Sequence, residues 1–309
     1  MIISPQVRPA AGRPAVAWDD PPCPLCGGDR RAPVVEAADP TPGGPGLRFA
    51  VVRCDECGLH FTSPRPDPAT ICQFYPPAYR PHRRPRDRDR SARFAPLAAA
   101  LGPATRSAGT PRLLDFGCGG GALLAWARGR GWDVTGLDVS AAAVAGVRAD
   151  LGVRALVGTL PHPDLRPASF DAVTMWHALE HVHDPLAVLA EARRLLVPGG
   201  RLVAAVPNIA SAAFGWFGPA WYGLDLPRHL THFTPPTLRR MVERAGLRVL
   251  EVRQVRLADW LRSSAKLADR LGRPPVGLRA LGYKPVAKLT AWACRAAGRA
   301  DAMTVTAVG

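Results

Sequence analysis

The nine residues LLDFGCGGG, at positions 113–121, run from an apolar strand-like segment into a glycine-rich turn. A helical pattern begins directly after them, so the turn joins a strand to a helix. Glycine accepts positive φ angles and lets a ligand approach the backbone, whose unpaired N–H groups are available where a helix starts. The segment therefore predicts a ligand-binding loop.

Two acidic residues narrow the class of ligand. The pattern Gly117-x-Gly119-x-x-Ala122 also satisfies the dinucleotide-binding fingerprint. Asp115, however, stands two residues ahead of the first glycine, where a carboxylate would attract a cationic amine and oppose a pyrophosphate. Asp138, at the end of the next strand, is placed to accept hydrogen bonds from both hydroxyls of a ribose. The two acids favour a ligand with an amine and a ribose over a dinucleotide.

Strand-like runs alternate with helical patterns from Pro111 onward, which is typical of an α/β fold with a parallel sheet. The predicted strands lie near 112–116, 132–138, 154–158, 170–176, 200–206, 247–255 and 303–308. Ser140 and Asp184 are expected to cap helices, Thr234-Pro235 to open one, and Gly199-Gly200 to end one.

At these residues the sequence resembles the class I S-adenosylmethionine (SAM) dependent methyltransferases. Their first motif is an acidic residue followed by G-x-G-x-G, and the likeness continues through SFDAV at 169–173, WHALEHVHDP at 176–185 and LVPGGRL at 196–202. The resemblance implies a Rossmann-like seven-stranded sheet whose last two strands form a reversed hairpin.

The same resemblance implies SAM as cofactor and assigns its binding residues. The implied cofactor-binding set is Asp115, Gly117, Gly119, Gly121, Asp138, Val139 and Leu160. The acid and glycines of the loop would hold the methionine part, Asp138 the ribose, and Val139 and Leu160 the adenine. Many relatives have an acid after the third strand, where this chain has Gly158-Thr159-Leu160.

Two matched cysteine pairs, Cys23-x-x-Cys26-Gly and Cys54-x-x-Cys57-Gly, stand near the start of the chain. Four thiolates in a reducing compartment suit a closed structural zinc site, which leaves no open position for catalysis. Three further cysteines, Cys72, Cys118 and Cys294, are expected to be packing residues.

The cysteine-rich segment resembles the N-terminal module of sugar C-methyltransferases and related bacterial methyltransferases. The predicted organisation is a disordered tail at 1–20, a zinc-ribbon-like module at 21–79, an Arg/Pro-rich linker with a leading helix at 80–110, and a methyltransferase domain at 111–309. A two-helix insertion at 256–301 is expected to act as a lid. Its apolar residues recur at helical spacing with Arg and Lys opposite, so a basic amphipathic face resting on a membrane is the alternative to packing against the sheet.

Three histidines are candidates for a catalytic base, since histidine titrates near neutral pH: His177, His229 and His232. The segment 221–233 resembles one common in small-molecule methyltransferases, and its Trp221, Tyr222, Phe233 and Arg228 are expected to line an acceptor pocket. A structural role for each histidine stays open. His177, Glu180 and His181 could also share a helical face as metal ligands, although magnesium prefers oxygen ligands.

The formal net charge of +15 comes mostly from Arg spread along an Ala-, Pro- and Gly-rich chain, so it favours compositional bias over a nucleic-acid surface. No apolar run reaches the roughly 20 residues of a membrane span, and the first 20 residues lack the compact apolar core of a secretory signal, which predicts a cytoplasmic protein. The predicted function is methyl transfer to a small molecule: a sugar nucleotide, glycan, quinone or secondary metabolite. The alternatives are an RNA methyltransferase with a zinc-ribbon module, and a non-catalytic SAM-binding scaffold.

Overall fold

The computed structural model describes residues 15–39, 47–75, 90–101, 109–272 and 277–309. The chain divides into two compact units. The first, called here the cysteine unit, comprises 1–75, 207–237 and 254–303, and the second, called the sheet unit, comprises 76–206, 238–253 and 304–309. These units combine segments that are far apart in sequence, and the four consecutive domains expected from the sequence stay a prediction.

From Arg112 onward, strands and helices alternate along the chain as predicted. The strands are β1 (Trp18–Asp19), β2 (Arg31–Ala38), β3 (Arg48–Cys54), β4 (His60–Thr62), β5 (Arg65–Pro66), β6 (Arg112–Phe116), β7 (Asp133–Asp138), β8 (Arg154–Val157), β9 (Phe170–Trp176), β10 (Leu196–Pro207), β11 (Thr231–His232), β12 (Arg248–Val255) and β13 (Ala302–Val308). The α-helices are α1 (Arg90–Leu101), α2 (Ala122–Arg128), α3 (Ala141–Leu151), α4 (Pro185–Leu195), α5 (Ala212–Phe217), α6 (Pro235–Arg244), α7 (Ala258–Arg270) and α8 (Lys284–Ala296).

A seven-stranded sheet with the order β12-β13-β10-β9-β6-β7-β8 organises the sheet unit. The neighbours β10 and β9, β9 and β6, β6 and β7, and β7 and β8 pair in parallel. Gly309, after β13, bonds Gly200 near the start of β10, whereas Asp301, before β13, bonds Asn208 after β10. β13 therefore runs against β10, and the predicted Rossmann-like fold with a reversed final pair of strands is confirmed.

Local capping explains where the helices of the sheet unit begin. Ser140 accepts the N–H of Ala143 at the start of α3, and Asp184 accepts that of Ala187 at the start of α4. The predicted end of α4 at Gly199-Gly200 is wrong, because the helix already stops at Leu195. The chain then enters β10 directly, and the glycines lie in the irregularity between Leu196 and Arg201 where the register with β9 shifts.

The cysteine unit is built on a smaller antiparallel sheet with the order β11-β4-β3-β2. Its fourth strand comes from far along the chain, since Thr231 pairs with Phe61 and His232 with His60. One hydrophobic cluster joins this sheet to the later segments, with Phe49, Trp221 and Leu261 among its buried members. The 256–301 insertion contains the two predicted helices, α7 and α8, and its role as a lid stays a prediction.

Residues 15–20 of the predicted disordered tail are among the described residues, and two of them form a strand. Residues 1–14 lie outside the described residues, but Trp18 and Asp19 pair with β5, and the rings of Trp18 and Phe49 lie 5.7 Å apart. The basic linker is outside the described residues from 76 to 89, and α1 starts at Arg90. Among the helices that the structure describes, none combines the length and the apolar character of a bilayer-spanning segment.

Arg228 forms a buried ion cluster that connects three parts of the cysteine unit. Its guanidinium donates to Asp225 Oδ1 at 3.1 and 2.7 Å, to Asp39 Oδ1 at 3.1 Å and to the carbonyl of Phe74 at 2.9 Å. The side chains of Arg228 and Asp39 are almost completely buried. Removing one partner would leave the other charges buried without compensation.

We therefore expect Arg228→Ala to lower the free energy of unfolding of the cysteine unit by about 3–5 kcal/mol. The matched control is Arg48→Ala in the same unit, whose ion pair with Glu36 is exposed and should contribute no more than about 1 kcal/mol. Denaturant titration of both variants measures the difference. Equal, small losses would show that the cluster does not stabilise the unit.

Candidate active site

The glycine-rich turn leaves β6 at the carboxyl end of the strand. Gly117 has a φ of +71°, and an added Cβ would lie 2.5 Å from the Cβ of Ala178. Gly121 has a φ of +75° and caps the start of α2, where an added Cβ would lie 2.9 Å from both Val147 and Leu151. Only glycine meets both the conformational and the packing demands of this turn.

Asp138 fixes the turn from the neighbouring strand. It is buried at the end of β7, where its Oδ2 accepts the N–H of Gly119 at 2.8 Å and its Oδ1 accepts the N–H of Ser140 at 2.8 Å. A carboxylate can accept about four hydrogen bonds. The side chain can therefore hold the loop and still accept from the hydroxyl groups of a ligand.

Asp115 is a buried acid at the same edge of the sheet. Its Oδ1 accepts the hydroxyl of Thr174 at 2.7 Å. Burial raises the pKa of Asp115, the bond from Thr174 lowers it and the charge of Asp138 raises it, and the combined result is a pKa of about 7. A cation beside this carboxyl group would stabilise its charged form, so the position suits the amine that the sequence predicts.

The two predicted adenine contacts differ in exposure. Val139, directly after β7, is 72% exposed, which leaves its side chain accessible to a ligand. Leu160 is buried, and it precedes the cis peptide bond to Pro161. A bound adenine would therefore change the solvent exposure of Val139 more than that of Leu160.

His177 directly follows β9, with a φ of +55° that is rare for a residue with a side chain. Its Nδ1 lies 3.3 Å from Oε1 of Glu180, a carboxylate with 0% of its side chain exposed. Leu179–His181 form a 3-10 turn. His177 lies before this turn, so the three residues do not share one helical face, and their role as metal ligands stays a prediction.

The four cysteines of the matched pairs come together in the cysteine unit. Their sulfur atoms all lie within 4.8 Å of one another, with Cys23 and Cys57 at 3.4 Å and Cys26 and Cys54 at 3.5 Å. Tetrahedral zinc with Zn–S bonds of about 2.3 Å needs sulfurs about 3.8 Å apart. The spacing of the thiols therefore fits a zinc ion.

Both cysteine pairs form the same turn. Gly27 donates to the carbonyl of Cys23 at 2.8 Å and Gly58 to that of Cys54 at 2.9 Å, and both glycines have positive φ. Burial raises the pKa of the Cys23 thiol, while backbone N–H groups of Cys26 and Leu25 partly offset it. Of the other three cysteines, Cys118 and Cys294 are buried as predicted, whereas Cys72 is exposed.

His232 is held inside the small sheet. Its Nε2 lies 3.0 Å from Thr62 Oγ1, whose hydroxyl donates to the carbonyl of His229 at 2.7 Å. Because the Thr62 proton points at that carbonyl, His232 Nε2 carries a proton and donates. Burial lowers the pKa of His232 well below its usual value, and the charges of His229 and His60 add to the effect. This arrangement suits a structural role better than that of a base.

His229 is positioned through its other ring nitrogen. Its Nδ1 lies 2.9 Å from the carbonyl of Gly223, and since a carbonyl only accepts, Nδ1 carries the proton in the neutral ring. The lone pair then belongs to Nε2, which lies 3.9 Å from Asp225 Oδ2. His229 therefore has the tautomer that a base acting through Nε2 requires.

Three of the residues predicted to line an acceptor pocket are buried in the cysteine unit. Trp221 is buried in the hydrophobic core of the cysteine unit and donates from Nε1 to Asp301 at 2.9 Å. Phe233 is completely buried, and Arg228 belongs to the ion cluster. Tyr222 is exposed, and its ring meets that of Trp260 edge-on at 5.6 Å. Of the four predicted lining residues, Tyr222 alone has a side chain that is accessible.

Two threonines that contact candidate site residues are not among the residues predicted from the sequence. Thr174 pairs with Asp115 in the parallel register of β9 and β6, so aligning the ends of the two predicted strands would have found it. Thr62 contacts His232 across 170 positions of sequence. No local pattern could have identified Thr62, because its partner strand is only two residues long.

Comparison with known proteins assigns the family. The model of the methyltransferase domain family matches residues 82–252, more than half of the chain. The ubiquinone biosynthesis O-methyltransferase of Xylella fastidiosa (strain 9a5c) is 32% identical over 174 residues, which is 52% of this chain and 69% of the relative. The protein of the same name from Xanthomonas oryzae pv. oryzae (strain PXO99A) is 34% identical over 173 residues, with shares of 52% and 71%.

A solved structure shares the fold. The S-adenosylmethionine dependent methyltransferase from Mesorhizobium loti has a TM-score of 0.50 and 22% identity, and the match covers 71% of this chain and 99% of that chain. The matched family, the curated relatives and the strand order agree with the resemblance noted in the sequence. The chain belongs to the methyltransferase domain family and is a class I SAM-dependent methyltransferase.

Proposed function

We propose that the enzyme transfers the methyl group of SAM to a hydroxyl group of a small aromatic molecule of the quinol type. The observation that carries this proposal is the 32% identity to enzymes named ubiquinone biosynthesis O-methyltransferase. The intact acid, glycine turn and second acid at Asp115, Gly117–Gly121 and Asp138 support an active enzyme over a non-catalytic scaffold.

The residues of the β6 turn and the β7 end fit SAM. Asp115 would accept the amino group, since a cation would stabilise the charged form of this buried carboxyl group. Asp138 would accept the ribose hydroxyls while it also accepts the N–H groups of Gly119 and Ser140. Gly117, Gly119 and Gly121 keep the loop open to the methionine part, with Val139 and Leu160 at the adenine. The chemistry supplied by bound SAM is an electrophilic methyl group.

The chain must also remove a proton from the acceptor hydroxyl. His229 is the preferred base, because the Gly223 carbonyl holds the proton on Nδ1 and the lone pair of the neutral ring is therefore on Nε2. His177 is the second candidate, with Glu180 fixing its ring from 3.3 Å. His232 is the weakest of the three, since its Nε2 is committed to Thr62.

The four-cysteine cluster would hold one structural zinc ion. Its support is the distance between the sulfurs and the chemistry of four thiols, which fit tetrahedral zinc. Such a site persists in a reducing compartment, and a cytoplasmic location is part of the same proposal. The boundaries of the zinc module at 21–79 and of the methyltransferase domain at 111–309 also remain proposals.

Asp138→Ala should weaken the binding of SAM by about 10- to 100-fold, since hydrogen bonds to charged groups are worth about 1.5–3 kcal/mol each. Asp133→Ala is the matched control, because Asp133 lies at the opposite, exposed end of the same strand. Calorimetric titration with SAM compares the two. If both variants bind SAM like the wild type, Asp138 is only a cap for the start of α3.

The purified enzyme should contain one zinc ion per chain, and Cys54→Ser should reduce this to a small fraction of an equivalent because the closed site needs all four ligands. Cys72→Ser, at an exposed cysteine of the same unit, should keep a full equivalent. Elemental analysis by mass spectrometry measures both. A Cys54→Ser protein with a full equivalent of zinc would exclude the four-thiolate site.

Incubation with SAM and a panel of hydroquinones, nucleotide sugars and ribosomal RNA should yield a methyl ether of a hydroquinone, detected by mass spectrometry. His229→Ala should lower kcat for that acceptor by about 100-fold, while SAM affinity stays unchanged. His232→Ala should instead lower the free energy of unfolding, because it removes the bond to Thr62.

Methylated RNA or a C-methylated sugar as the main product would contradict the proposed acceptor. Full turnover by His229→Ala would exclude His229 as base, and His177→Ala would then be the deciding variant. These measurements of turnover do not test SAM binding, which Asp138→Ala and its control Asp133→Ala test separately.

A further inference from the structure

The outward face of α8 exposes large apolar side chains that a water-facing helix would not normally carry. Leu289 is 70% exposed, Trp292 56% and Val286 36%, and Tyr283 at the start of the helix is 68% exposed. Isolated exposed apolar residues are ordinary on protein surfaces, but several on one short helix mark an interaction site.

Helical geometry places these residues on one side. At 3.6 residues per turn, positions 286, 289 and 292 form a stripe, and the small residues Ala293 and Ala296 continue it. The opposite side is occupied by the buried Ala287, Ala291 and Cys294. The helix is thus apolar both toward the unit's interior and toward its outer surface.

A basic flank runs beside the apolar stripe. Lys284, Lys288 and Arg295 are exposed and lie within about 40° of one another around the helix axis, on one side of the stripe. Long basic side chains can extend along an apolar surface while their charged ends stay in water. Apolar residues, a tryptophan and an adjacent row of cations are the combination found on helices that lie in the surface of a bilayer.

We propose that the outward face of α8 docks on an anionic lipid surface, with Leu289 and Trp292 inserted among the lipids and the basic flank on the headgroups. The proposal does not depend on which acceptor is used. Charge decides the occupant, because two copies of this positively charged helix face would repel each other, whereas an anionic bilayer attracts it. The formal net charge of +15 adds to that attraction.

Vesicle flotation tests the docking with the full-length protein. The wild type should float with vesicles of phosphatidylcholine mixed with phosphatidylglycerol, but not with phosphatidylcholine alone. Binding should fall at an ionic strength of about 1 M, where the Debye length is about 3 Å. The double variant L289D/W292D should lower vesicle partitioning at least about tenfold, and K284E/K288E at least about 25-fold, because each basic residue near such a surface contributes about fivefold.

Matched controls separate the helix face from general charge and hydrophobicity. R244E/R248E changes the net charge as much as K284E/K288E does, at exposed positions of the sheet unit, and L250D places an acid at an exposed leucine of β12. L250D should partition onto the vesicles like the wild type. R244E/R248E should lower partitioning less than K284E/K288E does, because it changes only the net charge and not the helix face. Circular dichroism and zinc content verify that every variant is folded.

Failure of the wild type to float with anionic vesicles would overturn the proposal. So would equal flotation of L289D/W292D and the wild type. If light scattering shows a wild-type dimer that L289D/W292D converts to a monomer, and neither protein floats, then the face is an interface between two copies and the lipid proposal is wrong.

Discussion

The carboxylate of Asp138 is the point at which the ligand-binding edge of the sheet is held together. One oxygen accepts the N–H of Gly119 in the loop after β6, and the other accepts the N–H of Ser140 before α3. A single side chain therefore connects two strand ends and a helix start. Thr174 extends this arrangement to β9 by bonding Asp115. Since parallel strands end at one edge, these groups meet without any long excursion of the chain.

The elements of the large sheet could be predicted because their signals are local. Apolar runs separated by caps and glycines place β6–β9 within a residue of their observed bounds, and the family pattern supplies the strand order. The acceptor side could not be predicted in the same way. Trp221 bonds Asp301 across 80 positions and His232 bonds Thr62 across 170, and neither partner leaves a periodic pattern. An aromatic or histidine beside a proline looks the same in sequence whether it lines a pocket or fills a core.

The cysteine unit combines its small antiparallel sheet with three other kinds of interaction. The thiols of the two cysteine pairs lie close together, the Arg228 ion cluster connects three segments, and Trp221 and Leu261 belong to a buried hydrophobic cluster. Zinc binding would add to the stability of this unit, since metal affinity becomes folding free energy when the unfolded chain has no site. Buried charge and thiol chemistry therefore act in this unit together with its apolar core.

The pairing of β11 with β4 has a consequence for synthesis of the protein on the ribosome. His232 emerges 170 residues after Thr62, which takes about 10 to 30 s at typical rates of translation. During that interval the nascent segment has both cysteine pairs, but the edge of β4 has no partner strand. Unpaired strand edges can pair with strands of other chains. Early capture of metal by the thiols would order the module before its last strand arrives. For the same reason, a gene fragment that ends after the module encodes a sheet without its fourth strand.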